Sequence, residues 1–169
     1  MQRRTLNADV RPTSREANAV RRLFLLLLGG CSQLAYGAGE SYMSLVGQLY
    51  AGVEMPRVAL VACKEQYPQL TGSLEGQYQS WRNRNATFLA EALTQFEHAD
   101  SRLRAQGHSL ADFDKLVLRK LQENGLDAIC HGYQELLLLK ERQFSSDLKQ
   151  LLDTVAFADQ ELTKRGERK

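Results

Sequence analysis

The chain has 169 residues, of which 43% are hydrophobic and 25% charged, and its formal net charge is +2. That charge is uneven: six Arg and two acidic residues precede Ala38, which leaves 16 basic against 18 acidic residues from Ala38 onward. A near-neutral body without a low-complexity tail or internal repeat excludes the concentrated basic face that nucleic-acid binding requires.

The first feature in chain order is Arg21-Arg22 followed by Leu23-Phe24-Leu25-Leu26-Leu27-Leu28 and then by small residues at Gly29, Gly30, Ala35, Gly37 and Ala38. A basic start, a short apolar run and a small-x-small site form an export signal, with cleavage before Ala38. The Leu/Phe run is too short to span a bilayer. Residues 1–19 are polar and long for a leader, so Val20 reads as an alternative start. The expected organisation is an N-terminal extension plus export signal over residues 1–37 and a single helical domain over residues 38–169, about 130 residues and a common single-domain length. A rival processing route exists because Leu28-Gly29-Gly30-Cys31 looks like a bacterial lipobox. Acylation of Cys31 makes the product an outer-membrane lipoprotein facing the periplasm, and it is the sole route by which a membrane enters this reading.

With Cys31 in the leader, Cys63 and Cys130 remain as an even pair in an oxidising compartment, and a disulfide is the leading reading. Two unrelated buried thiols are the alternative.

Periodicity along the body is helical throughout. Behind Ser41, a good N-cap, Tyr42, Leu45, Val46, Leu49, Tyr50 and Val53 recur at three- and four-residue steps. Pro56 is expected to interrupt this helix, and Val58 to Tyr67 to form a second, short one that stops before Pro68. The stripe Leu74, Tyr78, Trp81, Asn85, Phe88, Ala92, Phe96, Ala99, Leu103 predicts a single helix of about 30 residues ending near Gly107. Ser109 with Asp112 predicts a capped fourth helix that stops at Asn124-Gly125. A last long helix opens at Asp127 and carries Cys130, Tyr133, Leu137, Phe144, Leu148, Leu151, Val155 and Leu162. No segment alternates with period two. The fold class is therefore all-α, a helical bundle with two long antiparallel helices, about three shorter ones and one disulfide.

Catalytic signatures are missing: no Gly-x-Ser-x-Gly elbow, no His-Glu-x-x-His, no Cys-x-x-Cys pair and no phosphate loop. His98, His108 and His131 occupy three different contexts, so no metal, no cofactor and no enzymatic activity are expected. Asp127-Ala128-Ile129-Cys130-His131 holds the Cys-His half of a covalent haem motif with Asp127 in place of its first Cys, and Cys130 has a better partner in Cys63. The remaining local feature is Trp81-Arg82-Asn83-Arg84-Asn85. Asn85 on an apolar stripe either fixes helix register or builds a polar pocket with Trp81 and Arg84, the candidate ligand or partner site.

Cys63, Tyr67-Pro68, Trp81-x-x-Arg84-Asn85 and Cys130 together resemble a pattern in small exported helical proteins of proteobacteria, over roughly the central half of the chain. The resemblance implies export, helices and the disulfide, and transfers no catalytic residue. Gln79-Ser80-Trp81-Arg82 followed by Arg84 is faintly similar to LprI-type periplasmic lysozyme-inhibitor proteins, a group richer in Cys than this chain.

Two function classes follow. The first is a periplasmic, non-enzymatic interaction protein, an inhibitor or immunity-type factor whose partner is another envelope protein such as an envelope-directed hydrolase. The alternative is a periplasmic helical bundle that binds a small ligand or cofactor.

Overall fold

The computed structural model describes residues 38–144 and 146–166, so the expected export signal and the lipidation site expected at Cys31 lie outside the described residues. Helix α1, Ala38–Gln66, is the longest element at 29 residues. It begins ahead of Ser41, which lies inside the helix and not at its cap, and it runs through Pro56 without stopping. The expected break at Pro56 is thus corrected. A proline inside a helix loses one backbone hydrogen bond and crowds the carbonyl four residues earlier, at a cost of about 3 kcal/mol. Here Val53, Met55, Val58, Ala59 and Leu60 on both sides of it are buried. Burial is worth about 1.5–3 kcal/mol for each large apolar side chain, so tertiary packing outweighs the local defect. The buried hydroxyl of Tyr133 also donates to the Pro56 carbonyl at 2.8 Å.

A 3₁₀ turn, Pro68–Leu70, leads into α2, Thr71–Arg84, and α3, Ala86–Ala105. The stripe from Leu74 to Leu103 is therefore two helices, and Asn85 divides them. Its backbone N–H is shared between the carbonyls of Trp81 at 3.1 Å and Arg82 at 3.2 Å, while its side-chain Nδ2 donates to the Trp81 carbonyl at 2.8 Å. A side-chain amide that competes for the backbone in this way ends a helix while leaving the apolar period intact. Helix α3 closes at Gly107, whose φ of +80° suits glycine, and the His108 N–H returns to the Leu103 carbonyl at 2.9 Å.

Helix α4, Leu110–Glu123, starts and stops where its signals place it. The Ser109 backbone N–H and hydroxyl both donate to Asp112 Oδ2 at 3.0 Å, and these bonds hold the Asp112 carboxyl below its ordinary range. The last stripe is three helices: α5, Leu126–His131, α6, Tyr133–Phe144, and α7, Asp147–Gly166. The first of its two interruptions falls at Gly132, the poorest helix former in the stretch.

Cross-chain contacts fix the directions. Tyr42 donates to Asp159 and Leu148 abuts Gly52, so α7 runs antiparallel to α1. Tyr50 donates to Asp114 and Cys63 joins Cys130, so α4 and α5 run along α1. Arg84 with Glu141, Glu91 with Lys149 and Arg102 with Asp159 show that α2–α3 and α6–α7 point the same way. The result is an up-down-up-down bundle, all-α, with no strand among the described residues. Its long antiparallel helices are α1 and α7. The two long stripes read from the sequence lie parallel, because the single returning passage of α4 and α5 separates them in the chain.

The core between these passages includes Val46, Leu49, Trp81, Phe96, Leu103, Leu121, Tyr133, Leu136 and Val155, all nearly inaccessible. Cys63 and Cys130 form the disulfide, with Cα atoms 5.3 Å apart, and it fastens the end of α1 to α5. At the other end, Arg102 Nε donates to Asp159 Oδ1 at 2.5 Å and Tyr42 donates to the same oxygen at 3.2 Å, tying α3, α7 and α1 together. Burial, followed by the Asp159 charge, pushes the Tyr42 hydroxyl up to about 12.

Gly52 marks the closest approach of α1 to α7: a Cβ there would collide with Leu148 Cδ2 and press on Cγ at 3.3 Å. Gly52→Val is expected to destabilise the protein by about 1–3 kcal/mol through overpacking, despite the gain from removing a helical glycine. Urea unfolding reads this as a lower midpoint at unchanged slope.

Candidate functional site

Trp81, Arg84 and Asn85 do not converge on one pocket. Trp81 is 1% exposed and packs its ring between Tyr78, at 5.8 Å between centroids, and Phe144, at 5.4 Å. Arg84 points to the bundle surface, where Nε and Nη2 donate to the two oxygens of Glu141 at 3.1 and 3.0 Å. Asn85 spends its amide on the Trp81 carbonyl. The three residues thus terminate α2 and fasten it to α6.

A smaller cavity of about 470 Å³ does include Trp81, together with Tyr50, Glu54, Arg57 and Tyr78. Part of its charge is already paired: Arg57 Nε donates to Glu54 at 2.5 Å, Arg57 Nη2 to Asp114 at 2.5 Å, and Tyr50 to Asp114 at 2.9 Å, while Arg82, Glu97 and Asp100 also line it. Burial and the hydrogen bond to Asp114 push the Tyr50 hydroxyl well above its usual range.

A larger concavity lies elsewhere. Helices α4 and α7 both pack on α1, and between them a groove of about 720 Å³ opens along the first half of that helix. Helix α1 presents Gly47, Ala51 and Gly52 to the groove, with Phe113 packed against Gly47 and Leu148 against Gly52, and Leu116, Val117 and Leu151 supply further apolar walls. Leu116 is 51% exposed although it belongs to the amphipathic face of α4.

One polar residue in this apolar wall is unlike the rest. Lys140 is 3% exposed, and among the described residues it is the buried charged side chain. It stands on the core face of α6, with Tyr133, Leu136, Leu137 and Phe144, and it lines the groove. Burial pushes its amine down to about 7, because removing an ammonium from water penalises the charged form. The other ionisable groups along the groove are Lys120 on α4, which pairs with Glu123 at 2.7 Å, and Asp147, exposed in the first turn of α7. Among the described residues, helix α1 contributes no charged side chain to the groove. Sequence reasoning missed Lys140. The available signal was a lysine at a core register position, between Leu137 and Phe144.

The histidines lie apart. His131 is exposed, its Nδ1 within 3.0 Å of the Asp127 carbonyl and its ring edge-on to Tyr67. Among the described residues no group of three or more His, Cys, Asp or Glu side chains is arranged to hold a metal ion. Cys130 is committed to the disulfide, which removes the thiol that covalent haem attachment through Cys130-His131 requires. Among the described residues no helix is long and apolar enough to cross a membrane. No family model matches the chain, and no curated protein or solved structure shows significant similarity to it.

Proposed function

We propose that this protein is a non-enzymatic binding protein of an extracytoplasmic compartment, the periplasm on the reading of its leader, and that its ligand is an elongated apolar molecule held in the groove between α1, α4 and α7. The observation that carries the reading is the groove itself: about 720 Å³, apolar, and built on small α1 residues. Ligand sites typically span about 300–1,000 Å³ with mostly apolar walls and few polar groups. The Cys63–Cys130 disulfide supports an oxidising compartment. Inhibition of an envelope hydrolase, the other class the sequence raises, requires a partner surface, and the exposed large apolar residues Val61, Leu93, Leu138 and Phe157 are distributed over α1, α3, α6 and α7. Single exposed apolar residues are ordinary features of a surface.

Titration with N-phenylnaphthylamine, an uncharged dye that brightens in apolar surroundings, tests the reading. The dye is expected to brighten with the wild-type protein. Leu116→Glu, which sets a charge in the groove wall at a half-exposed position, weakens binding by about tenfold, roughly 1.4 kcal/mol, while Val61→Glu leaves it unchanged. No brightening, or equal binding by Leu116→Glu, contradicts the proposal.

A further inference from the structure

We infer that the groove's ligand is a lipid with two hydrocarbon chains, both laid along α1, with its head group in solvent at the groove mouth. The inference rests on the groove being a ligand site and adds the class of the ligand. Length and volume together set the number of chains. The α1 wall of the groove runs from Met43 to Met55, about 18 Å at 1.5 Å per residue. That is the extended length of a chain of roughly 14 carbons, from ordinary bond lengths. Spread over that length, the volume of about 720 Å³ corresponds to a mean cross-section of roughly 40 Å². An extended hydrocarbon chain whose carbons sit at van der Waals contact with their surroundings fills roughly 20 Å². One chain therefore leaves half of the section to water, against walls that include Leu45, Leu116, Val117 and Leu151. A second chain takes the place of that water and buries the remaining apolar wall.

The walls favour flexible chains over a rigid plate. Phe113 stands over Gly47, a ring carbon 3.1 Å from where a Cβ would lie, and Leu148 stands over Gly52, so the floor along α1 is uneven. Methionine, an adaptable apolar side chain, stands at both ends of the α1 wall, at Met43 and Met55. No charge within reach selects the head. Lys120 pairs with Glu123 at 2.7 Å, and Asp147 is exposed at the rim. Lys140 is 3% exposed and already engaged within the protein, so its amine is not offered to a ligand. The selectivity of the site accordingly lies in the chains, and zwitterionic and anionic head groups are accommodated alike.

Native mass spectrometry of the whole protein, after exposure to lipid and removal of the excess by size-exclusion chromatography, counts the chains. With vesicles of ditetradecanoyl phosphatidylcholine the wild-type protein is expected to carry one lipid, and vesicles of the phosphatidylglycerol with the same chains are expected to load it to a similar occupancy. With tetradecanol it is expected to carry two molecules. Ala51→Leu, which sets a side chain on the groove floor without adding charge and with a good helix former, is expected to lose the two-chain lipid and to keep one tetradecanol, which shows that the groove is intact. A wild-type protein that holds one tetradecanol and no two-chain lipid, or that captures cholestanol, a rigid molecule of similar section, in preference to either, overturns the two-chain assignment and leaves the apolar groove standing. An Ala51→Leu protein that still carries two chains overturns their placement along α1. A preference of more than about tenfold for one head group overturns selection by the chains alone. A protein that takes up none of these and does not brighten N-phenylnaphthylamine overturns both the assignment and the ligand site.

Discussion

Replacing Cys63 and Cys130 together with alanine is expected to lower unfolding stability by about 4 kcal/mol, within the 2–5 kcal/mol that loss of a native disulfide costs a small exported domain. The bond closes a loop of 67 residues and joins two distant parts of the bundle, the last turns of the longest helix and the six-residue α5. An isolated helix as short as α5 does not hold itself in water. With Cys63 and Cys130 both nearly inaccessible, the substitution also leaves two small voids, which add to the loss. For a domain of this size the melting temperature falls by roughly 10–20 °C. Thermal unfolding followed by circular dichroism, with and without a strong reductant, checks this. The double variant is expected to melt somewhat below the reduced wild-type protein, because of the voids, and to be insensitive to reductant. A variant that melts with the oxidised wild type contradicts the fastening role of the bond.

Lys140→Met is expected to act in the opposite direction and to depend on pH. The folded Lys140 amine is held down at about 7 against an ordinary value of 10.5. Below about pH 7 the group is charged in both the folded and unfolded chain, and the full cost of burying the ammonium is present. Between pH 7 and 10.5 the unfolded chain holds a proton here that the folded chain has released, so wild-type stability gains with rising pH through this window. At about 1.36 kcal/mol for each pH unit of the window, the cost relieved is on the order of 5 kcal/mol. Methionine keeps the length of the lysine stem without the charge. The variant is therefore expected to be several kcal/mol more stable than wild type at pH 6, with the difference shrinking steadily toward pH 10. Urea midpoints at pH 6, 8 and 10 check both the sign and the slope; a stability gap that is the same at all three contradicts a buried, titrating amine.

What was legible in the sequence follows from which forces are local. Helix α4 was legible at both ends because its signals, Ser109 with Asp112 and Asn124-Gly125, act within one turn of chain. The pairing of Cys63 with Cys130 was legible once Cys31 was assigned to the expected leader, with no geometry needed. Pro56 misled because its cost is local while its compensation is not: the buried neighbours and the Tyr133 hydroxyl that carry α1 through it come from elsewhere in the fold. Asn85 misled in the reverse sense. It sits on the apolar stripe, so the period continues across it, and only the bond from its side chain to the Trp81 carbonyl reveals a helix end.

The same distinction explains the site. Trp81, Arg84 and Asn85 are unusual neighbours in sequence, yet Arg84 pairs with Glu141, Asn85 bonds the Trp81 carbonyl, and the Trp81 ring packs on Phe144 with its indole N–H unpaired. The groove is a property of three helices from distant parts of the chain, α1, α4 and α7, and no short segment encodes it. Lys140 was visible only as a break in an otherwise apolar register, a signal that acquires meaning once α6 is seen to turn that face inward.

The burial of Lys140 is measured directly by its side-chain titration, followed by NMR. With the lysine ¹³Cε and ¹⁵Nζ signals assigned by comparison with Lys140→Met, the free protein is expected to show one lysine titrating near 7. A Lys140 that titrates at its ordinary value contradicts the burial of this amine on the core face of α6.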